Sequence, residues 1–214
     1  MIFDITRMLA PATPAFPGDP PVVITPVMQI AKGDACNVSA ISMSVHAGTH
    51  VDAARHYAEG APGADALDLR VLISPAYVVS LPGVMTITPE VLSEALAMDL
   101  KGMAVLIHTR ASEAVTRVFD PVFSTFTPQA AEWLRASGVH LIGTDAPSVD
   151  PVDSTELPAH KAFGAAGLVI VENLILCDVP DGLYQLAVLP LKISDADGAP
   201  ARAVLISKSA HNWL

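Results

Sequence analysis

The segment HAGTHVDAARHY, residues 46–57, restricts the fold more than any other part of the sequence, because it concentrates polar side chains that need partners. It holds three of the seven histidines, His46, His50 and His56, together with Asp52. The preceding residues NVSAISMSV alternate in polarity as a strand does, and a glycine inside the segment argues against a helix. In a chain that continues extended, every second side chain shares one face. We therefore predict all four polar side chains on one face.

These four side chains predict a metal site. Imidazole and carboxylate are good ligands for zinc and other first-row divalent ions, and the residues between them on this face, Gly48 and Ala54, are small. A lone histidine on a strand is more often exposed or structural than a ligand, but three with an aspartate favour the metal. A single strand rarely surrounds an ion, so further ligands are expected from elsewhere in the chain.

Glu172 is the first candidate for such a ligand. It lies within the apolar run LVIVENLIL, which predicts a buried strand, and an isolated ionised carboxylate is costly to bury. A metal ion, an Arg or Lys partner, or a position at the edge of the sheet would each relieve that cost. His160 is the second candidate, in the weaker predicted helix LPAHKAFGAAG just before this strand.

Strands dominate the rest of the sequence, and the helices do not alternate regularly with them. Further apolar or alternating runs predict strands at PVVITPVMQI, AYVVSL, MAVLIHT, VHLIGT and ARAVLI. Thr88 before Pro89, and Thr127 before Pro128, each place a capping residue ahead of a first-turn proline and predict two helix starts. We expect a single α/β domain over residues 1–214, with mixed, mostly antiparallel strands.

Composition excludes several classes of partner and site. A net charge of -10, without a Lys/Arg cluster, repels nucleic acid and anionic membranes. The most apolar run is interrupted by Glu172 and is too short to span a bilayer, and the first residues do not resemble a signal peptide, so we expect a cytoplasmic protein. Cys36 and Cys177 lack CxxC spacing and are predicted to be small buried thiols.

The segment HAGTHVDAARHY resembles the HxGTHxDxPxH signature of the cyclase-like metal hydrolases, a family that includes bacterial kynurenine formamidase and isatin hydrolase. Ala54 stands where the signature has proline, which bears on backbone rigidity rather than on the ligands. The segments PATPAFPGDP, LIGTDAPSVDP and YQLAVLPLKISDADGAPARAVL extend the resemblance over nearly the whole chain. They resemble bacterial kynurenine formamidase, although Phe16 stands where formamidases have tryptophan.

The resemblance implies a swivelling β/β/α fold, a homodimer or higher homo-oligomer, and two zinc ions per subunit. Manganese, cobalt or another divalent ion would also suit such ligands. The implied ligands of the first ion are His46, His50 and Asp52. The implied ligands of the second are Asp52, which bridges, with His160 and Glu172. His56 is left free for acid/base work.

The implied reaction is hydrolysis of N-formyl-L-kynurenine to L-kynurenine and formate in tryptophan degradation. Two close divalent ions can lower the pKa of a bridging water so that hydroxide exists near neutral pH. His56 is suited to give a proton to the departing arylamine, and Phe16 is a candidate contact for the aromatic ring. The chain has no GxSxG nucleophile elbow.

Two other interpretations stay open at this point. An isatin hydrolase-like enzyme, acting on isatin or another small cyclic amide, would have the same metal site and differ only in its pocket. A non-catalytic metal-binding protein is the second alternative. Structural zinc sites are usually closed and rich in cysteine, and neither cysteine lies near the cluster in sequence, which counts against it.

Overall fold

The computed structural model describes residues 1–112 and 118–207. The strands are, in chain order, β1 (Ile2–Asp4), β2 (Val23–Met28), β3 (Val38–Ser42), β4 (His50–Asp52), β5 (Ile73–Ser80), β6 (Thr86–Ile87), β7 (Ala104–His108), β8 (Thr125–Phe126), β9 (Leu141–Thr144), β10 (Val169–Glu172), β11 (Gly182–Pro190) and β12 (Gly198–Ser207). The α-helices are α1 (Leu69–Leu72), α2 (Pro89–Ala95), α3 (Pro128–Ala136) and α4 (Pro158–Ala166).

A closed ring of seven strands forms the centre of the molecule, in the order β4, β12, β11, β5, β7, β9 and β10. The ring closes because the first residues of β12 pair with β4, which also pairs with β10. The pairs β5–β7, β7–β9 and β9–β10 are parallel. The other pairs in the ring are antiparallel. The predicted fold class, mixed α/β with mostly antiparallel strands, is confirmed.

Two hydrophobic clusters lie on opposite faces of the central strands. Strand β7 shows the division clearly, because its side chains alternate between the clusters. Ala104 and Leu106 join the first cluster, together with residues of β5, β11 and β12. Val105 and Ile107 join the second, which packs against α2, α3 and α4. The strand is buried on both faces, which explains why its sequence is apolar throughout.

The three predicted helices are present with their expected ends. The hydroxyls of Thr88 and Thr127 accept hydrogen bonds from backbone N–H groups in the first turns of α2 and α3. Helix α4 ends at Gly167, whose left-handed φ of 71° terminates the helix. In the part of the chain that the structure describes, no helix has the length and apolar character needed to cross a membrane.

Three predictions require correction. Cys36 and Cys177 are exposed, because they lie in the connection between β2 and β3 and in the turn after β10, both outside the core. The run LVIVENLIL is not one strand, since β10 ends at Glu172 and Asn173 adopts a left-handed φ of 58°. The sequence analysis also missed β11 (Gly182–Pro190) as a separate strand.

Candidate metal centre

Residues 46–57 turn twice instead of continuing extended. Gly48 has a left-handed φ of 65°, and a Cβ atom there would lie 2.7 Å from Cδ2 of Leu9. Strand β4 is short, and Ala54–His56 form a 3-10 helix immediately after it. The prediction of one continuous extended face is therefore wrong, because the N-terminal segment crosses over the chain at Gly48. Ala54 begins the 3-10 helix, a position at which proline would fix the backbone in advance.

The turns nevertheless bring the predicted side chains together around Asp52. Its Oδ1 atom lies 3.0 Å from Nδ1 of His46 and 3.3 Å from Nε2 of His50. Its Oδ2 atom lies 3.4 Å from Nε2 of His160, which enters from α4. The Asp52 side chain has no solvent exposure, so three imidazoles surround one buried carboxylate.

Glu172 reaches the same cluster from the neighbouring strand. It is paired in register with His50 across the β10–β4 ladder, and its Oε2 atom lies 3.4 Å from Nε2 of that histidine. Its Oε1 atom lies 3.5 Å from Nε2 of His160 and accepts a hydrogen bond from the backbone N–H of Val149. Among the described residues, no Arg or Lys forms an ion pair with Glu172. Within those residues, an Arg or Lys partner for the Glu172 carboxylate is therefore excluded.

The imidazoles of His50 and His160 are held by their other nitrogens. Nδ1 of His50 donates to the carbonyl oxygen of Gly48 over 2.9 Å. Nδ1 of His160 donates to Oδ2 of Asp150 over 2.7 Å, and Asp150 also accepts two backbone N–H groups at the start of α4. These bonds leave each Nε2 directed at the buried carboxylates. A second hydrogen bond that fixes the ring in this way is typical of histidine ligands of metals.

Asp197 performs a similar role for His46 and also approaches His56. Its Oδ2 atom lies 3.1 Å from Nε2 of His46, whose Nδ1 points to Asp52. The same oxygen lies 3.8 Å from Nδ1 of His56, and the two imidazole centroids are 4.2 Å apart. Asp197 therefore connects the predicted ligand and the predicted acid/base residue.

Two buried atoms of the cluster, Nε2 of His50 and Oδ2 of Asp52, have no hydrogen-bond partner within residues 1–112 and 118–207. Both have oppositely charged or polar neighbours within 3.4 Å, but without hydrogen-bonding geometry. Burying polar atoms without partners is costly, and a cation between them would remove that cost. The set of imidazole and carboxylate donors also suits a zinc-like divalent ion. These residues fit the predicted metal ions.

The carboxylates control the ionisation of the surrounding imidazoles. Burial alone would lower the pKa of His50, but the adjacent carboxylates of Asp52 and Glu172 outweigh it and raise the pKa to about 10. His160 responds in the same way, through Asp150 and the same two carboxylates, and its pKa is raised to about 12. Burial would raise the pKa of Asp52, but its three imidazole neighbours hold it well below the ordinary value. Without metal, imidazolium ions therefore balance the buried carboxylates.

His56 differs from the other histidines of the cluster. Burial and the neighbouring His46 and His160 lower its pKa, although Asp52 opposes this effect. Its imidazole therefore favours the neutral form, which can accept a proton. Unlike the imidazoles of His50 and His160, the His56 imidazole makes no hydrogen bond to another described residue.

The distances permit more than one grouping of ligands. One set of donor atoms within 4.8 Å of one another comes from His46, Asp52 and His56, and another from His50, Asp52 and Glu172. The resemblance instead groups His46 with His50 and leaves His56 free. Asp52 is common to every grouping, so it is the residue on which both ions would depend.

A cavity of about 350 Å³ opens onto the cluster. His46, His56, His160 and Glu172 line it directly. Its wall also carries aromatic rings, which are those of Phe16, Phe119 and Phe123. The rings of Phe16 and Phe119 make an edge-to-face contact at 5.3 Å, whereas Phe126 is packed in the core against Phe163.

The sequence analysis missed Asp150, Asp197 and Arg7, which also belong to this region. The available signals were weak: Asp150 precedes the proline-initiated helix α4, and Asp197 precedes the glycine that begins β12. Asp150 bonds His160 ten positions later in the chain, whereas only the closed ring of strands places Asp197 beside His46 and His56.

Metal binding is predicted to release protons and to weaken as pH falls. His50 and His160 keep their protons near neutral pH in the metal-free protein, since their folded pKa values are about 10 and about 12. Each must lose a proton before its Nε2 can bind an ion. Calorimetric titration with Zn²⁺ at about pH 7, in two buffers of different ionisation heat, should show net proton release. A heat independent of the buffer would contradict this ionisation.

Replacing Asp52 by Ala should remove both ions, because its two oxygens face different imidazoles. His160→Ala should mainly release the ion nearest Glu172. Elemental analysis of metal-loaded protein measures both outcomes. Asp99→Ala is the control, because it removes an exposed carboxylate that accepts a hydrogen bond from the nearby Lys101 N–H. Equal losses in the Asp52 and His160 variants would contradict a bridging aspartate.

Comparisons with known proteins agree with this architecture. The sequence model of the Cyclase family, described as putative cyclase, matches residues 3–151. A potential metal-dependent hydrolase with cyclase activity is 30% identical over 96% of this chain and 96% of its own, with a TM-score of 0.82. A predicted metal-dependent hydrolase from Bacillus stearothermophilus is 30% identical over 96% of this chain and 97% of its own, with a TM-score of 0.81.

Isatin hydrolase A from Labrenzia aggregata, in a structure bound to benzyl benzoate, shares the fold at 23% identity. That similarity covers 97% of this chain and 94% of the other, with a TM-score of 0.83. The family match, the two relatives at 30% identity and the common fold together show that this chain belongs to the Cyclase family.

Proposed function

We propose that this protein is a metal-dependent hydrolase that converts N-formyl-L-kynurenine to L-kynurenine and formate, using two zinc ions per subunit. The observation that carries the proposal is the orientation of three imidazoles. Each directs one nitrogen at the buried carboxylates while its other nitrogen is held by a hydrogen bond. Two relatives at 30% identity are described as metal-dependent hydrolases, which supports the reaction class.

The residues proposed to hold the ions are His46, His50, Asp52, His160 and Glu172, with Asp52 shared. Divalent ions bound there would lower the pKa of a water molecule and polarise the formyl oxygen. Manganese or another divalent ion would satisfy the same imidazole and carboxylate donors.

His56 is proposed to move the proton that the reaction requires. A formamide nitrogen leaves poorly unless it is protonated, so the enzyme needs a group that accepts a proton and then delivers it. The neutral imidazole favoured by its lowered pKa can accept a proton, and the resulting imidazolium would lie 3.8 Å from Oδ2 of Asp197. That carboxylate would stabilise the charged form and orient the ring.

The aromatic wall of the cavity supports an aryl substrate. Phe16, Phe119 and Phe123 line the same space as His56, and aromatic rings pack well against each other in edge-to-face or offset geometry. A volume of about 350 Å³ is within the usual range for small-molecule sites. Phe16 remains the contact that the sequence analysis proposed.

A cyclic amide such as isatin is the second candidate substrate. The similarity of fold to isatin hydrolase A favours it, and the same cluster would serve that reaction. A non-catalytic metal-binding protein is less well supported, because a large cavity opens directly onto the cluster. Structural zinc sites are normally closed.

We further propose a cytoplasmic homodimer or larger homo-oligomer that acts on a small molecule and binds neither nucleic acid nor membrane. The strongly negative charge supports the absence of the last two partners. The exposed apolar side chains of strands β2 and β3 support self-association, and they include Val23, Ile24, Val27, Val38 and Ile41.

Turnover of N-formylkynurenine by the metal-loaded protein tests the proposed function. Formation of kynurenine, followed by absorbance, should require the metal and should be abolished in Asp52→Ala. Isatin is assayed beside it under the same conditions. A higher kcat/KM for isatin would select the second candidate, and no turnover of either compound by fully loaded protein would reject both.

His56→Ala should retain both metals and the fold but lose about 10²–10⁴-fold in turnover of the formamide, the usual range for a positioned proton donor. An aryl ester should be affected much less, because its leaving group needs little protonation. Metal content and both rates are measured in the same variant. Depletion of metal, or equal losses on amide and ester, would mean that His56 is a ligand, as its distance from His46 and Asp52 permits.

A further inference from the structure

Arg7 is a cation on the cavity wall that the metal cluster does not use. It lines the same cavity as His56 and Glu172, and its Nε atom is buried without a hydrogen-bond partner among the described residues. A guanidinium carries only donors, so it must have acceptors or water to satisfy it. Leaving a buried donor unpaired is costly, which indicates a role for an acceptor that the chain itself does not supply.

The nearest acids are already engaged. Asp145 lies on the same wall, but its carboxylate accepts four hydrogen bonds, from the backbone N–H groups and hydroxyls of Thr109 and Ser112. Glu172 faces His50 and His160. Among the described residues, Arg7 has no carboxylate within 4.0 Å. Its guanidinium therefore keeps its donors available to the cavity.

The backbone of Arg7 is fixed relative to the metal cluster. Its N–H donates to Oγ1 of Thr49 over 2.8 Å, and that hydroxyl donates to the carbonyl oxygen of Asn173 over 2.7 Å. Thr49 and Asn173 are the immediate neighbours of His50 and Glu172. One hydroxyl thus joins the backbone of Arg7 to the ends of β4 and β10, the two strands that carry His50, Asp52 and Glu172.

The acidic lining of the cavity opposes the binding of an anionic substrate. Asp145, Asp197 and Glu172 line the wall, and the whole chain carries a net charge of -10. An anion would be repelled by these groups unless a cation received it. Arg110 also lines the cavity but is exposed, where its charge is screened by solvent.

We infer that Arg7 binds a carboxylate of the substrate and thereby selects acids over neutral analogues. Its planar guanidinium can donate two parallel hydrogen bonds to the two oxygens of a carboxylate, and an ammonium group cannot reproduce this geometry. For the proposed formamide substrate, the group bound is the carboxylate of the amino-acid end. The identity of that substrate rests on the proposed function, whereas the anion site itself does not.

Paired ligands that differ only in the acid test the inference without requiring turnover. Anthranilate and 2-aminobenzamide are titrated calorimetrically into metal-loaded wild type and Arg7→Gln. Loss of a hydrogen-bonded charge pair should weaken anthranilate binding about 10- to 100-fold and leave 2-aminobenzamide within about twofold. Arg135→Gln on the exposed face of α3 makes the same change in charge and should alter neither ligand.

Steady-state kinetics provides the second arm. In Arg7→Gln, KM for N-formylkynurenine should rise about 10- to 100-fold with kcat little changed, whereas KM for its carboxamide should not change. Arg7→Lys keeps the charge but not the planar geometry and should recover only part of the affinity. If Arg7→Gln fails to fold, the same measurements on Arg7→Lys test the inference.

The two arms separate this inference from the proposed function. Absence of formamide turnover in wild type would reject the proposed function, but the anthranilate titration would still decide on Arg7. Anthranilate held only by the metal ions would bind Arg7→Gln as tightly as wild type, and that result would overturn the inference. Equal losses for anthranilate and 2-aminobenzamide, with a lowered melting temperature, would show a structural role instead and would overturn it as well.

Discussion

The buried carboxylate of Asp52 is the group on which the centre of this molecule depends. It is fully enclosed, and no Lys or Arg among the described residues neutralises it. An ionised carboxylate in that position requires compensating positive charge. His50 and His160 supply it as imidazolium ions without metal, and bound cations would replace those protons. The same charge therefore accounts for the histidines, for the ionisation of the metal-free site and for its fit to divalent ions.

The closed ring of strands makes this arrangement possible. Strand β4 lies between β10 and the start of β12, so His50 and Asp52 are next to Glu172 on one side and to the chain just after Asp197 on the other. Helix α4 packs on the second hydrophobic cluster and directs His160 towards Asp52. Asp150 accepts hydrogen bonds from the first turn of this helix and from the His160 imidazole. Ligands from three segments thus meet, and backbone pairing joins two of these segments, β4 and β10. A site held by paired strands is well suited to fixed metal geometry.

The cavity combines three chemical features that would match different parts of the proposed substrate. The histidine and carboxylate cluster suits the reacting amide, the phenylalanines suit an aromatic ring, and Arg7 suits an acid. Thr49 holds the backbone of Arg7 beside the two strands that carry His50, Asp52 and Glu172. This arrangement explains how a strongly acidic protein could accept an acidic substrate.

The sequence alone determined the ligand types and most of the secondary structure, because both depend on local patterns. The spacing of His46, His50, Asp52 and His56 predicted a cluster, and the Thr-Pro pairs marked the starts of α2 and α3. The predicted extended face was wrong, because the chain turns at Gly48, where the Leu9 side chain packs closely against the backbone. The buried cysteines were also wrong, since thiols in surface turns have no sequence signal that separates them from core residues. Asp197 became visible only in the tertiary structure, because β12 pairs with β4 more than one hundred positions away. Asp150 and Arg7 were also found only there, since their bonds to His160 and Thr49 follow no local sequence pattern. The order of residues does not show which imidazole nitrogen faces the carboxylates or that the Arg7 Nε donor lacks a partner among the described residues. Both depend on the tertiary structure.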